Sequence, residues 1–342
     1  MLGGKQGYSS GFIYAVLAVL MVVFSLMDLR WGSVDIPMDE FFNIARGDST
    51  VYAKIFYEVR LPKAIAAVLV GGSLSVSGLL MQTSFRNPLA GPYVLGISSG
   101  ATLGAAIFLL LLSVMGITLV GFWMQWGVVL FAMLGAFSLF LIILLGSFRI
   151  KESVTLLIVG MMLGTLAGAV ISVLQNISDP DSVKLFINWT LGSLSMIGRN
   201  QLFVMTPLVL AGLFVVWFVR KQLDLMLLGD DYASTMGVSV FRCRVLIMVA
   251  TVVLTGVTTA FTGPVGFVGI AVPHIARMIM NTSKHSKVIP CTLLLGGNMM
   301  LLCDIICQLP SNGYVLPLNA VTAVLGIPVI IWVLIGKKKM FV

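Results

Sequence analysis

The sequence has few charged residues and long stretches with none. Only 10% of its 342 residues are Asp, Glu, Lys or Arg, and 59% are hydrophobic, whereas a soluble domain carries about a quarter charged residues. Residues 87–148 contain no charged side chain at all. A soluble core does not use so long an uncharged stretch, so the chain is predicted to be an all-α polytopic membrane protein.

Further absences exclude other classes of function. No G-x-x-x-x-G-K-[ST] motif is present, so the chain is not predicted to bind ATP as a P-loop protein does. The two histidines and four cysteines form no metal-ligand pattern with carboxylates, and the cysteines are interpreted as packing residues. No enzyme activity, cofactor or metal is therefore predicted. The apolar segments are almost empty of ionisable residues, which disfavours an ion-coupled transporter.

Ten apolar segments are candidates to span a bilayer core. No soluble domain or low-complexity linker interrupts them, so residues 1–342 are predicted to form a single transmembrane domain. Segments that contain proline could instead be re-entrant. The ten are 12–29, 64–85, 93–115, 121–147, 153–176, 200–219, 243–261, 264–281, 288–307 and 318–336.

The basic residues are unevenly distributed between the connecting segments. Ten spans put both termini on one side, and Lys337, Lys338 and Lys339 mark that side as cytoplasmic because cytoplasmic loops carry an excess of Lys and Arg. Two thirds of the 21 Lys and Arg fall on it. The net charge of +8 therefore reflects topology in a lipid membrane, and no nucleic-acid partner is predicted.

Residues 60–104 form the most distinctive stretch. The basic residues Arg60 and Lys63 precede an uncharged run, and two prolines at 86–92 break the helix before a second apolar run. Two series of glycines recur at four-residue spacing, which places each series on one helix face. Close helix packing explains them, and a pathway-lining role is compatible with it. The series are Gly96, Gly100 and Gly104, and Gly160, Gly164 and Gly168.

Two further segments are unusual for a membrane protein. Residues 262–277 contain two prolines and three glycines at membrane depth, which is tolerated where the freed backbone groups face protein or water. Residues 220–244 interleave acidic and apolar residues around Gly229 and Gly237. We interpret this segment as a short pair of helices with a docking surface for a cytoplasmic partner; a connector lying on lipid is the alternative.

Five blocks of sequence, taken together, resemble one known family. They are RLPK with LVGGSLSVSG and MQTSFRNPLAGPYVLGISSGATLG, LLIVGMMLG, LGDDYASTMGVSV, TGPVGFVGIAVPHIARM, and LPLNAVTAVLGIP, in the expected order between residues 60 and 328. These blocks are similar to the FecCD-type permeases, the membrane subunits of bacterial ABC importers for ferric siderophores, haem and cobalamin.

The resemblance implies a type II ABC importer permease fold with about ten transmembrane helices. It implies a bacterial cytoplasmic (inner) membrane location and a homodimer of permease subunits. It also implies two cytoplasmic ABC ATPase subunits, which would hydrolyse the ATP, and a periplasmic or surface substrate-binding protein. The expected function is to form the translocation pathway for a ferric siderophore or a related chelate such as cobalamin or haem.

The resemblance also assigns roles to particular residues. Arg60 and Lys63 match positions that dock the binding protein. The segment 222–241 matches the ATPase-coupling helices, and the positions carried over there are Leu228, Gly229, Asp230, Asp231, Tyr232, Ala233, Met236, Gly237 and Val238. The positions assigned to the gate and pathway are Asn87, Leu89, Ser153, Gly160, Gly164 and Gly168. The last block departs from the family pattern at Val315 and Asn319, where a Glu and a Gly are usual.

Two other functions are weighed against the importer permease. A secondary transporter or channel would take up its substrate without ATP, and an intramembrane enzyme would need a nucleophile–base pair or a metal cluster that the sequence lacks. Asp304 lies near the end of a span, where an acid is costly, so a buried partner or an aqueous surface is expected for it. A metal or proton-relay role for His274 has little support.

Overall fold

The computed structural model describes residues 9–32, 37, 51–93, 95–117, 121–147, 149, 153–309 and 315–336. The regular structure of these residues is helical. In chain order the helices are α1 (Ser10–Arg30), α2 (Val51–Ser84), α3 (Ile97–Val114), α4 (Phe122–Ser147), α5 (Ser153–Ile177), α6 (Pro180–Thr190), α7 (Arg199–Met226), α8 (Asp230–Thr235), α9 (Val240–Thr262), α10 (Val268–Met280), α11 (His285–Gln308) and α12 (Leu318–Gly336).

The predicted spans correspond to α1–α5, α7 and α9–α12, which confirms the polytopic helical fold. Eight of these helices are long and apolar enough to cross a membrane. The other two expected spans correspond to shorter apolar stretches, namely α10 and the Leu318–Trp332 part of α12. The 13 residues of α10 extend about 20 Å, less than a bilayer core of about 30 Å. The glycine and proline residues before it, 263–266, are not helical.

Helix α2 is the centre of the bundle. It packs against α11, α9 and α10 and is buried along most of its length. Glycines bring the backbones together at two crossings. A Cβ atom at Gly71 would overlap the carbonyl oxygen of Gly296 on α11, and one at Gly78 would overlap that of Gly269 on α10. Such close approach is typical of membrane helices, which gain packing energy where small residues allow contact.

One turn of α2 is wider than an α-helical turn. Phe56–Arg60 forms a π turn between the α-helical parts Val51–Ile55 and Leu61–Ser84. Within it Arg60 is buried and Glu58 is exposed. A π turn of this kind is often found at functional sites in helices.

Several outer helices present apolar side chains away from the bundle. Val19 on α1, Met162 on α5, Phe203 on α7 and Val324 on α12 are each more than 60% exposed. In a membrane-spanning chain such surfaces face lipid or another protein rather than water.

The bundle has two ends. The upper end is where α1 and α11 finish and the Leu61–Ser84 part of α2 begins. The lower end is where α2 finishes and α8, α9 and α11 begin.

Candidate functional site

A cluster of buried polar side chains joins three helices at the upper end. The Nζ atom of Lys63 lies 2.7 Å from Oδ2 of Asp304 and 3.6 Å from Oδ1 of Asp28. The Nε2 atom of Gln308 donates to the same two carboxylates, at 2.7 Å and 3.0 Å. We call Asp28, Lys63, Asp304 and Gln308 the Lys63 cluster. It ties α1 and α11 to α2, and it supplies the buried partner that was expected for Asp304.

Arg60 is also turned into the protein. Its Nη1 atom donates to the carbonyl oxygens of Leu29 and Arg30, at 2.6 Å and 2.7 Å. The last carbonyls of a helix lack intrahelical donors, and a cation at a helix C-terminus is stabilised by the helix dipole. Arg60 therefore completes the end of α1, and the residue is only 5% exposed.

The burial of Arg60 and Lys63 constrains the docking role assigned to them. Contact with a binding protein stays a prediction, and in this structure both side chains bind groups of their own chain instead. Direct docking would require them to leave those partners. The end of α1, which binds Arg60, and Asp28 and Asp304, which bind Lys63, lie in distant parts of the sequence. The direction of the two basic side chains could therefore not be read from the chain order.

The turn after α2 is held by side chains at the lower end. The amide of Leu89 donates to Oδ1 of Asn87 at 2.9 Å, an Asx turn that fixes a local backbone bend. The Nε2 atom of His274 lies 2.8 Å from the carbonyl oxygen of Pro88, where it can act as a donor. His274 thus attaches α10 to the turn, and Leu89 remains 42% exposed.

An ion-pair network connects that turn to the predicted coupling segment. The Nη2 atom of Arg86 lies 3.0 Å from Oδ1 of Asp230, and Nη2 of Arg244 lies 2.6 Å from its Oδ2. Because Asp230 begins α8 and Arg244 lies in the first turns of α9, the network, which we call the Asp230 tie, links both helices to the end of α2. The sequence placed these parts far apart, and the structure brings them together.

A second tie links α7, α11 and α2 nearby. The Nδ1 atom and the backbone amide of His285 each lie 2.7 Å from Oδ1 of Asp224. The Nε2 atom of His285 lies 2.9 Å from Oγ1 of Thr83. His285 and Thr83 are buried. We call these three residues the His285 tie. The sequence did not predict it, because no local motif indicates that the three residues are in contact.

The coupling segment contains one short helix rather than the predicted pair. Helix α7 continues to Met226 and takes up the first part of the segment, leaving α8 between Gly229 and Gly237. Both glycines have positive φ, +122° and +82°, which glycine adopts without steric cost. Of the other positions assigned to coupling, Ala233 is buried, Val238 is half-buried, and the exposed ones are Leu228, Asp231, Tyr232 and Met236.

The two glycine series meet only at one end. A Cβ at Gly96 would lie 3.0 Å from the carbonyl oxygen of Gly160, and one at Gly164 would lie 3.1 Å from Oγ of Ser99. Gly168 is exposed and has nothing within 4 Å of an added Cβ. Gly100 and Gly104 pack on α4 instead. Ser153 is the first residue of α5.

Gly96 itself lies outside the helix. It precedes α3 with φ of +74°, so its role is to end the preceding turn rather than to continue a helical glycine face.

Asn319 has a structural role that the family pattern did not predict. Its Oδ1 atom accepts a hydrogen bond from the amide of Gly266 at 3.1 Å. The backbone of residues 263–266 is not helical, and buried amides in such a break need partners. The residue that departs from the family pattern therefore supplies an acceptor for one amide of the glycine- and proline-rich break before α10.

Comparison with known protein families gives a match over most of this chain. Residues 18–336 match the sequence model of the FecCD transport family. The chain belongs to the FecCD transport family. It is thus a multi-pass membrane permease, and the predicted family, fold and transport function are confirmed.

The similarity to individual relatives extends along almost the whole chain. The hemin transport system permease HmuU of Yersinia pestis is 30% identical, covering 94% of this chain and 95% of its own. The vitamin B12 import system permease BtuC of Klebsiella pneumoniae is 33% identical, covering 94% and 93%. A solved metal-chelate type ABC transporter in an inward-facing conformation has a TM-score of 0.81 at 27% identity, covering 96% of this chain and all of that one.

Proposed function

We propose that this FecCD-family chain is the permease subunit of an ABC importer that moves a metal chelate, such as a ferric siderophore, haem or cobalamin. The names of HmuU, BtuC and the metal-chelate transporter support this cargo class. The chain is a pathway and not a catalyst, and ATP is hydrolysed on separate subunits. Both termini lie in the cytoplasm of a bacterial cell, on the side of the lower end.

The observation that carries the proposal is the arrangement of α8. Three apolar side chains in and beside α8 are exposed: Leu228 just before the helix by 65%, Tyr232 within it by 49%, and Met236 just after it by 59%. Helix α8 is fastened through its first residue, Asp230, to Arg86 and Arg244. A small apolar surface attached firmly to the transmembrane helices suits a contact that transmits movement from an ATPase.

We propose that movement of α8 reaches the pathway through the Asp230 tie. Arg86 directly precedes the turn that contains Asn87 and Leu89, so displacement of Asp230 would displace the turn. Gly160, Gly164 and Gly168 on α5 would line the pathway beside it, with Ser153 at the lower end of the same helix. A second copy of the chain would complete the pathway, because part of α5 is exposed here.

For the upper end we propose an indirect role in docking. The Lys63 cluster and Arg60 fix how α1, α2 and α11 meet, and this shapes the surface on which a substrate-binding protein would dock. A further step of this proposal is that Arg60 and Lys63 leave their partners in this chain and pair directly with the binding protein.

Reconstitution tests the function. In proteoliposomes that contain the permease, its ATPase and its binding protein, uptake of a ferric siderophore, haem or cobalamin should require all three proteins and ATP. Uptake by the permease alone that an ionophore abolishes would instead establish a secondary transporter.

A pair of glycine variants tests the coupling role of α8. Gly237 and Gly116 both have positive φ, +82° and +71°, and nothing within 4 Å of an added Cβ. Ala at either position carries a similar backbone strain. Gly237→Ala should lower the substrate transported per ATP hydrolysed, whereas Gly116→Ala should not. Equal ratios in the two variants would contradict the assignment.

A further inference from the structure

A cavity of about 630 Å³ opens at the upper end, away from the polar ties and the glycines of α5. It lies between the first turns of α4 and α7, the last turns of α9, and α6. Its volume is that of a site for a small organic molecule, about 300–1,000 Å³. The transport mechanism proposed above does not use it.

The inner wall of the cavity is apolar. It includes Met124, Val128 and Val129 of α4, Trp189 of α6 and Phe261 of α9. From Met124 to Val129 the wall descends about 7 Å along α4. A polar or charged molecule would lose its hydration at that depth without gaining hydrogen bonds, so the inner part suits a hydrocarbon chain.

The mouth of the cavity is polar and carries both signs of charge. Arg199 and Glu58 line it, with Nη1 and Oε1 separated by 4.0 Å and side chains 78% and 51% exposed. The amide of Gln201 donates to Gln125 Oε1 at 3.1 Å across the same opening. The two charges are close enough to serve one ligand and too loosely paired to satisfy each other fully.

The surroundings place this mouth at a membrane surface. Trp123 at the start of α4 and Phe203 at the start of α7 are 69% and 82% exposed, and Trp126, one turn further along α4, packs against Phe261 of the cavity wall. Tryptophan is enriched at the level of lipid headgroups. The cavity therefore opens where headgroups lie and deepens toward the acyl region.

We propose that this cavity binds one zwitterionic phospholipid. An acyl chain occupies the apolar wall along Val129, the phosphate contacts Arg199, and the ammonium group contacts Glu58. A lipid held between α4, α6, α7 and α9 stabilises their packing at the upper end. The site is independent of the cargo, so failure of the transport assay leaves it standing, and its own failure leaves the transport proposal standing.

Native mass spectrometry of the full-length permease, delipidated in detergent and titrated with lipid, tests the proposal. The probes are phosphatidylethanolamine and phosphatidylglycerol with identical acyl chains. One phosphatidylethanolamine should be retained in preference. Arg199→Ala and Glu58→Ala should each weaken its binding about two- to fivefold, as expected for a surface-exposed charge contact. Lys54→Ala, which removes an exposed charge from the same helix as Glu58, should have no effect.

Variants that fill the cavity test its position. Val129→Trp and, separately, Met124→Trp should reduce lipid retention at least about tenfold while the protein stays monodisperse; using two positions guards against one of them failing to fold. Equal retention of both lipids would overturn the zwitterionic assignment. Retention unchanged in both tryptophan variants, or no retained lipid in the unmodified protein, would overturn the site.

Discussion

Replacing Lys63 with methionine should destabilise the upper end of the bundle. The side chains of Lys63, Asp28 and Asp304 are 8%, 0% and 7% exposed. Without the ammonium group, the two carboxylates keep only Gln308 as a common donor, and one oxygen of Asp28 already has no hydrogen-bond partner. Breaking a buried ion pair by removing one partner costs about 3–5 kcal/mol. Methionine keeps the length and apolar stem of lysine, so the change isolates the charge.

The assay is the temperature at which half of the detergent-solubilised protein ceases to be monodisperse. Lys63→Met should lower it by many degrees. The matched control is Lys54→Met, which removes an exposed lysine from the same helix and should change little. Adding Asp28→Asn and Asp304→Asn to the Lys63 variant should restore much of the loss, because no buried charge is then left unpaired.

A different result would favour direct docking. If Lys63→Met kept its thermal stability but lost affinity for the substrate-binding protein, the lysine would act mainly on its partner. If the triple variant were no more stable than Lys63→Met, the loss would not come from unpaired carboxylates, and the reasoning from burial would be refuted.

Three other substitutions test the lower end and the centre of the bundle. Asp230→Asn should cost less than about 1 kcal/mol, because the pair is partly exposed, yet it should reduce the substrate transported per ATP hydrolysed. Its control is Asp181→Asn, which changes an exposed acid on α6 at the upper end, and equal transport ratios in the two variants would contradict a coupling role for the Asp230 tie. His285→Ala should lower the stability of the protein by about 1–3 kcal/mol, because it leaves buried polar groups without partners. The thermal stability of this variant is compared with that of Lys284→Ala, and equal stabilities would refute the His285 tie. Gly78→Ala should lower the stability by about 1–3 kcal/mol, because the added methyl group overpacks the crossing of α2 with α10. Gly168→Ala adds a methyl group in open space and should change the stability very little. Similar melting temperatures for the two variants would show that the crossing can relax.

The spans were predictable because they depend on local properties. An uncharged segment of the right length specifies a membrane helix whatever its neighbours are. Each of the ten predicted segments contains a described helix, and eight of these helices are long and apolar enough to cross a membrane. The single helix α8 was not predictable in this way. Helix α7 extends to Met226 while packing against α9 and α2. The amphipathic pattern of residues 220–226 fits the end of α7 and a separate short helix equally well, so the sequence alone could not distinguish the two.

The partners of the polar residues were beyond the sequence for a different reason. In the sequence, Arg60 and Lys63 directly precede an uncharged run, a position at which basic residues often face the aqueous side. Only the fold places Asp28 and Asp304 beside Lys63. Arg86 and Asp230 are likewise joined by tertiary structure alone. A buried partner for Asp304 could be expected, because the free-energy cost of an acid near the membrane follows from its position in the sequence. The identity of that partner could not be inferred.

The π turn at Phe56–Arg60 sets two faces of α2 out of phase. One additional residue in a turn rotates everything before it by roughly 100° relative to a regular helix. Within the turn, Arg60 binds the carbonyl oxygens at the end of α1, and Glu58, two residues earlier, reaches toward Arg199 on α7. The number of residues in this turn is thus as constrained as their identity: deleting one of them, with every side-chain contact residue retained, would swing the first part of the helix to a different neighbour.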